Sequence, residues 1–166
     1  MGARTTARES ALQMLFAIDS TGGDLDDVIR DYWRETPGDA EGRAFADALV
    51  QGVANSLTEL DQLISTASSN WRVERMTRVD RNVLRVGTYE LAKCPDVPRP
   101  VAIDEAVELA KRFGTEESGS FVNGVLDRIA EDCGRKDKER GPEQSHNEPP
   151  RSPQVRIEKD QTKERQ

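Results

Sequence analysis

Residues that could perform catalysis are scarce in this sequence, which has no glycine-rich phosphate loop, zinc-ligand spacing or Gly-x-Ser-x-Gly elbow. The single histidine, His146, lies in a segment rich in charge and proline, where nothing positions it as a base. Asp104, Glu105 and Glu108 are close in sequence and could suggest a metal site. Without a histidine partner they are more typical of a solvated helix face, on which Glu108 and Arg112 form an i, i+4 pair. We therefore expect no enzyme, no metal ion and no cofactor.

Basic side chains are more informative. Residues 72–93 hold six of them against three acidic ones, a local charge of +3. Arg78, Arg81 and Arg85 share one face of a predicted helix, where they could meet a phosphate backbone or the acidic surface of a partner. Because 33% of the chain is charged, ion pairs within the protein are an equally good interpretation for any one of them.

The start of the first predicted helix also carries arginines, Arg4 and Arg8. A helix N-terminus has a partial positive charge, so cations there destabilise the helix by a few tenths of a kcal/mol. On a helical wheel both residues fall on the same side as Leu15, and they extend the apolar stripe instead of the solvated face. Their placement therefore needs an explanation other than helix stability.

A third feature is the stretch "RFGTEESGSFVNG", in which a loop with two glycines leads into a predicted helix. Free amides at a helix N-terminus suit an anion, and Phe113 and Phe121 stand on either side. Aromatic faces beside backbone donors are typical of single-stranded RNA recognition. A phenylalanine at helical spacing is also typical of a core, and the carboxylates of Glu116 and Glu117 oppose a phosphate.

Helical periodicity recurs along the chain, whereas strand-type alternation is nowhere sustained. Beyond the first helix, helices are predicted over residues 24–33, 41–68, 79–93, 100–114 and 121–134. Gly52 could allow a neighbour to approach closely, Ser118 is placed to cap the last helix, and residues 79–93 are apolar on more than one face. The sequence predicts an all-α, compact bundle of about six or seven helices with short loops.

Composition divides the chain into two parts. Residues 1–133 carry a net charge of -9, whereas residues 134–166 hold nine Lys/Arg against seven Asp/Glu and almost no large apolar side chains. Such a segment cannot bury enough surface to offset its ordering entropy, so we expect residues 134–166 to be a disordered tail after a single helical domain over 1–133. Cys94 and Cys133 lack metal-ligand spacing, and no signal or membrane segment is evident, which predicts reduced thiols in a cytoplasmic protein.

Three segments resemble the NusB family of bacterial transcription antitermination factors. They are "ARESALQMLF", "VDRNVLRVGTYELAKCPDVPRPVAIDEAVELAKRFG" and "EESGSFVNGVLDRIA", and the similarity spans roughly residues 3–131. The resemblance implies an all-helical fold of two subdomains. It also implies binding to the boxA element of ribosomal leader RNA jointly with NusE, a small-subunit ribosomal protein, in a complex that joins elongating RNA polymerase and suppresses termination.

The resemblance also implies site residues. The RNA surface would comprise Arg4, Arg8, Phe113, Glu117, Ser118 and Phe121. The surface facing NusE would include Phe16 and Asp80, since an acidic residue suits a basic ribosomal protein.

Three alternatives stay open at this point. Arg8 could form a buried ion pair with a carboxylate, and Phe16 could be a core residue. Thr5 and Thr6 stand where the family often has further arginines, so the protein could be a dimerising helical interaction protein that has lost RNA binding. An accessory domain of a ribosomal RNA-modifying enzyme is disfavoured, because the chain has no room for a cofactor-binding domain.

Overall fold

The structure is a computed structural model that describes residues 2–136, and within this range it contains seven α-helices and no strand. The helices are α1 (Ala3–Thr21), α2 (Leu25–Glu35), α3 (Ala40–Asn55), α4 (Leu57–Ala67), α5 (Arg78–Lys93), α6 (Arg99–Phe113) and α7 (Ser118–Asp132), with a short 3-10 turn at Val73–Arg75. The all-α prediction is confirmed. The predicted disordered tail lies outside the described residues from position 137 onward, and so does His146.

The prediction of a single long helix over residues 41–68 is wrong, because the helix is interrupted at Ser56. There the backbone leaves helical geometry (φ -118°, ψ 16°), and the Ser56 amide is shared between the carbonyls of Gly52 and Val53. The break separates α3 from α4 and leaves Leu57 39% exposed. The close approach at Gly52 is confirmed, since a Cβ there would lie 2.1 Å from the Tyr89 ring.

Ser118 does not cap α7 as predicted. The residue before the helix is Glu117, whose side chain makes no capping hydrogen bond, and Ser118 is already the first helical residue. The Ser118 hydroxyl accepts a hydrogen bond from the amide of Thr115 at 2.9 Å, and Ser118 is only 1% exposed. Ser118 therefore closes the turn between α6 and α7 from inside.

The core consists of two hydrophobic clusters, in agreement with the two subdomains. One lies mainly between α1, α3 and the start of α4, and it includes Ala11, Met14, Val50, Val53 and Leu60. The other lies between α5, α6 and α7, and it includes Leu84, Leu91, Ile103, Leu126 and Ile129. Helix α5 contributes to both clusters and buries nine of its sixteen residues, which agrees with its apolar residues on more than one face.

No helix within residues 2–136 is long and apolar enough to cross a lipid bilayer.

Candidate RNA and partner interface

Arg8 is one of the most buried residues of α1, with 3% of its side chain exposed. Its Nε and Nη2 donate to the two carboxylate oxygens of Glu90 on α5, at 2.7 and 2.8 Å. Burial alone would lower the pKa of the guanidinium, but the hydrogen bonds and charge of Glu90 outweigh it and raise that pKa. Of the two alternatives for Arg8, the structure shows the buried ion pair, so its guanidinium is not presented to solvent.

Arg4 differs from Arg8 in exposure and in ion pairing, although both guanidinium groups lie over the Phe45 ring. It lies one turn earlier on α1, its side chain is exposed, and its guanidinium stands 4.8 Å from the centre of the Phe45 ring. No carboxylate of the described residues forms an ion pair with it. The neighbouring Thr5 hydroxyl donates a hydrogen bond to Glu105 on α6 at 2.9 Å. Arg4 is therefore the arginine of this turn that is available to an anion.

The end of α6 presents Phe113, which is 37% exposed. Arg112 lies over its ring at 5.2 Å and donates to Glu9 on α1 at 2.7 Å. The predicted pair between Glu108 and Arg112 is therefore wrong, because Glu108 instead lies 3.6 Å from Lys111. Phe113 is a surface residue held beside α1 and not part of the core.

Beyond Phe113, the turn between α6 and α7 borders a groove whose opposite side is the segment before α5. Glu117 and Phe121 line it from the turn, and Trp71, Arg75 and Asp80 from the opposite side. Trp71 is 58% exposed, the largest fraction among the exposed large hydrophobic residues that the structure describes. Sequence reasoning missed Trp71, although a tryptophan outside every predicted helix was a signal that could have found it.

At the far end of α1, Phe16 is 40% exposed, so the core alternative for this residue is wrong. The guanidinium of Arg78 lies 6.0 Å from its ring and donates to Ser20 at 3.0 Å. Asp80 lies on the first turn of α5, where its amide donates to the Thr77 hydroxyl and its Oδ1 is buried without a hydrogen-bond partner. The two residues implied in partner binding thus lie near one end of the bundle.

The arginine face predicted on α5 is largely used within the protein. Arg81 binds Asp19 at 2.6 Å, and Arg85 binds Asp61 at 2.8 Å. Burial alone would raise the pKa of the Asp19 carboxyl, but hydrogen bonds from Arg81 and Asn82 outweigh it and hold that pKa below its ordinary value. These two arginines therefore connect α5 to α1 and α4.

Arg72 and Arg75, just before α5, are exposed, and within residues 2–136 no carboxylate lies within 4 Å of either guanidinium. The exposed cations of residues 72–93 therefore lie before α5, beside the groove, and not on the α5 face that the sequence indicates.

Groups for other chemistry are few in the part of the chain that the structure describes. No cluster of three His, Cys, Asp or Glu there could hold a metal ion. Cys94 and Cys133 are both free thiols, and burial is the main cause that raises the pKa of each, which favours the unreactive protonated form at neutral pH.

Comparison with known proteins gives a consistent result. The profile of the NusB family matches residues 5–131. The transcription antitermination protein NusB of Sorangium cellulosum is 64% identical over 140 residues, which cover 84% of this chain and all of that protein. The solved structure of T. maritima NusB is 42% identical, with a TM-score of 0.72 over 77% of this chain and 90% of that one.

A further match is a crystal structure of the antitermination factors NusB and NusE in complex with double-stranded RNA. It is 27% identical, with a TM-score of 0.69 over 78% of this chain and 97% of that one. The fold and these matches define an all-helical protein of the transcription antitermination class. The chain belongs to the NusB family of transcription antitermination factors.

Proposed function

We propose that this protein binds the boxA element of ribosomal leader RNA jointly with NusE, and that the complex joins elongating RNA polymerase in the cytoplasm and suppresses termination. The observation that carries the proposal is the similarity to the NusB of the NusB–NusE complex with RNA, which extends over 97% of that chain. The exposed groups found on the surface are of the kinds that such partners require.

The proposed RNA surface runs from the first turn of α1 to the turn between α6 and α7. Arg4 supplies an exposed cation for phosphate, and Phe113 and Phe121 supply aromatic faces for bases. Glu117 borders the same surface and restrains binding by its charge, while Ser118 shapes the turn from inside. Arg8 acts on this surface indirectly, because its pair with Glu90 fixes α1 against α5.

The proposed NusE surface lies at the opposite end of α1. Phe16 supplies exposed apolar area, and Asp80 supplies a negative charge on the first turn of α5. Most ribosomal proteins are basic, so an acidic group here favours association by charge complementarity. The two surfaces meet near the start of α5, which is consistent with joint binding of RNA and protein.

The test is a titration of fluorescently labelled boxA-type RNA with this protein, with purified NusE, and with both at equal concentration. We expect the pair to bind more tightly than either protein alone, with an affinity that falls as salt rises. A scrambled RNA of the same length is the control. Equal binding of the two RNAs at all salt concentrations would contradict the proposal.

A second candidate is a dimerising protein without RNA binding, which the exposed Phe16 and the sparse basic surface favour. Sedimentation velocity separates the two functions. A dimer that dissociates on Phe16→Asp and binds no boxA-type RNA would support this candidate.

A further inference from the structure

The groove between the segment before α5 and the turn between α6 and α7 has a volume of about 390 Å³, within the range of small-ligand sites. Trp71, Met76 and Phe121 give it apolar and aromatic walls, and Asp80 and Glu117 give it acceptor oxygens. Since Glu117 and Phe121 belong to the proposed RNA surface, the groove is continuous with that surface.

Trp71 owes its exposure to a defined turn and not to a loose loop. After α4, Ser69 and Asn70 both adopt positive φ angles, 58° and 61°. The Asn70 amide donates a hydrogen bond to the Ser65 carbonyl at 2.8 Å. The Trp71 amide then bonds the Ser68 carbonyl at 3.2 Å. These two hydrogen bonds hold the turn in the conformation that presents the indole to solvent at the groove.

Within residues 2–136, the lining of the groove holds one cation, Arg75, and two carboxylates, Asp80 and Glu117. Contacts to phosphate therefore depend on Arg75 and the adjoining Arg72. Elsewhere on the helices most arginines bind carboxylates, as Arg8 and Arg85 do. Arg72 and Arg75 have exposed guanidinium groups, and among the described residues no carboxylate is within ion-pair distance of either. Arg75 lines the groove and Arg72 adjoins Trp71 in the chain, so both can follow a phosphate backbone that passes this point.

The groove also offers hydrogen-bond acceptors. The carboxylates of Asp80 and Glu117 line it. An occupant that carries N–H groups on the edge of a planar ring can donate to them while its face contacts an aromatic side chain. A nucleobase with an amino or imino group has both properties.

From these observations we propose that the groove binds one unstacked nucleobase, with Trp71 as a stacking residue and Arg72 and Arg75 as phosphate contacts. RNA that reaches Phe121 then continues across the groove toward the start of α5. This inference rests on the proposed function, because it extends the RNA surface of the same protein. It assigns an RNA contact to Trp71, a residue outside the segments that carry the family resemblance.

The experiment measures binding of boxA-type RNA to the NusE complex of the full chain for Trp71→Ala, Trp71→Phe, Arg72→Ala and Arg75→Ala. Removal of a base-stacking side chain weakens binding about 5- to 100-fold, so Trp71→Ala should fall in this range, and Trp71→Phe should restore most of the affinity. Each arginine variant should make the logarithmic salt slope shallower by about 0.7. Leu57→Ala and Arg34→Ala, at exposed positions away from the groove, are the matched controls.

Tryptophan fluorescence reports on the groove directly. Trp33 and Trp71 are the two tryptophans of the chain, so Trp33→Phe leaves Trp71 as the single emitter. Addition of RNA should quench this emission, whereas addition of NusE without RNA should leave it nearly unchanged.

The outcomes separate this inference from the proposed function. If the wild-type complex binds RNA and Arg4→Ala weakens it, but the Trp71 and Arg75 variants bind normally, the groove inference is overturned and the proposed function stands. If NusE alone quenches the emission and Trp71→Ala loses affinity for NusE, the groove binds the protein partner. This result would also overturn the groove inference. Failure of the wild-type complex to bind boxA-type RNA would overturn both.

Discussion

Two sets of arginines in this protein have opposite surroundings. Arg8, Arg81 and Arg85 point into the bundle, and each binds a carboxylate on another helix. Arg4 and Arg75 lie at the surface without a carboxylate partner among the described residues. The first set joins α5 to α1 and α4, whereas the second borders the proposed RNA surface.

The difference teaches that charge counts along the sequence do not locate a binding surface. Among residues 2–136, about half of the Lys and Arg side chains form ion pairs with carboxylates. The others include Arg4 and Arg75, whose charges are available to phosphate. Substitution in the first set should change the free energy of unfolding, and substitution in the second should change RNA affinity and its salt dependence.

The largest expected effect is that of Arg8→Ala. The change leaves the Glu90 carboxylate buried and unpaired, which costs about 3–5 kcal/mol of the free energy of unfolding. Urea unfolding measures it, with Arg34→Ala, an exposed arginine, as the control. The double variant Arg8→Met with Glu90→Leu should recover most of the loss, because apolar groups often replace a buried pair without penalty. If the variant keeps normal stability but shows a shallower salt slope for RNA binding, Arg8 contacts RNA and is not a structural arginine.

Asp80→Lys tests the partner surface and has the next largest effect. We expect NusE binding to weaken by about 1–3 kcal/mol, because like charges then face each other. Isothermal titration calorimetry measures the affinity, and circular dichroism verifies the fold. Unchanged affinity in a folded variant would remove Asp80 from the interface.

Arg4→Ala tests the second set of arginines. RNA affinity should fall and the logarithmic salt slope should become shallower by about 0.7, as expected when one phosphate contact is lost from a single strand. The free energy of unfolding should stay within about 0.5 kcal/mol, since the side chain is exposed. A loss of stability without a change in slope would place Arg4 with the structural arginines.

Glu117→Gln should have a smaller effect of the opposite sign. The carboxylate lies within a Debye length of the proposed RNA path, so its neutralisation should raise RNA affinity by about 0.5–1 kcal/mol. Helix α7 should lose a few tenths of a kcal/mol, because an anion leaves its N-terminus. Titration of labelled RNA at two salt concentrations checks this prediction. A fall in affinity would show that Glu117 accepts a hydrogen bond from a base.

The smallest effect is expected from removal of residues 136–166, which should shift the thermal midpoint by less than about 2 °C. Removal of residues 134–166 should cost more, because it also deletes Arg135. The guanidinium of Arg135 donates to the carbonyls of Leu91, Cys94 and Val97 at the end of α5. Equal midpoints for the two truncations would show that these contacts contribute nothing.

Much of the fold could be predicted from the sequence, because the amphipathic periods of α5, α6 and α7 are strong and their ends carry proline or glycine. The break at Ser56 could not, since the apolar spacing continues through it and the interruption depends on how α3 and α4 pack. Arg135 was assigned to the tail by composition, although its guanidinium binds the end of α5. A single side-chain contact of this kind leaves no trace in local composition.

The candidate site was predictable in part. Exposed Phe113 and Phe16 followed from the family resemblance, and both are at the surface. The partner of Arg8 could not be predicted, because it is 82 residues away and nothing local marks Glu90 as its carboxylate. Trp71 escaped notice because it belongs to no periodic segment.

The contact between Arg8 and Glu90 also has a consequence for synthesis of the chain. The two residues are separated by 82 positions, and a ribosome that adds roughly 5–20 residues per second needs roughly 4–16 seconds between them. During this interval the guanidinium of the nascent chain is without its carboxylate, although α1 can already pack against α3. The ion pair that fixes the first turn of α1 against α5 therefore forms only after α1 to α4 have been synthesised.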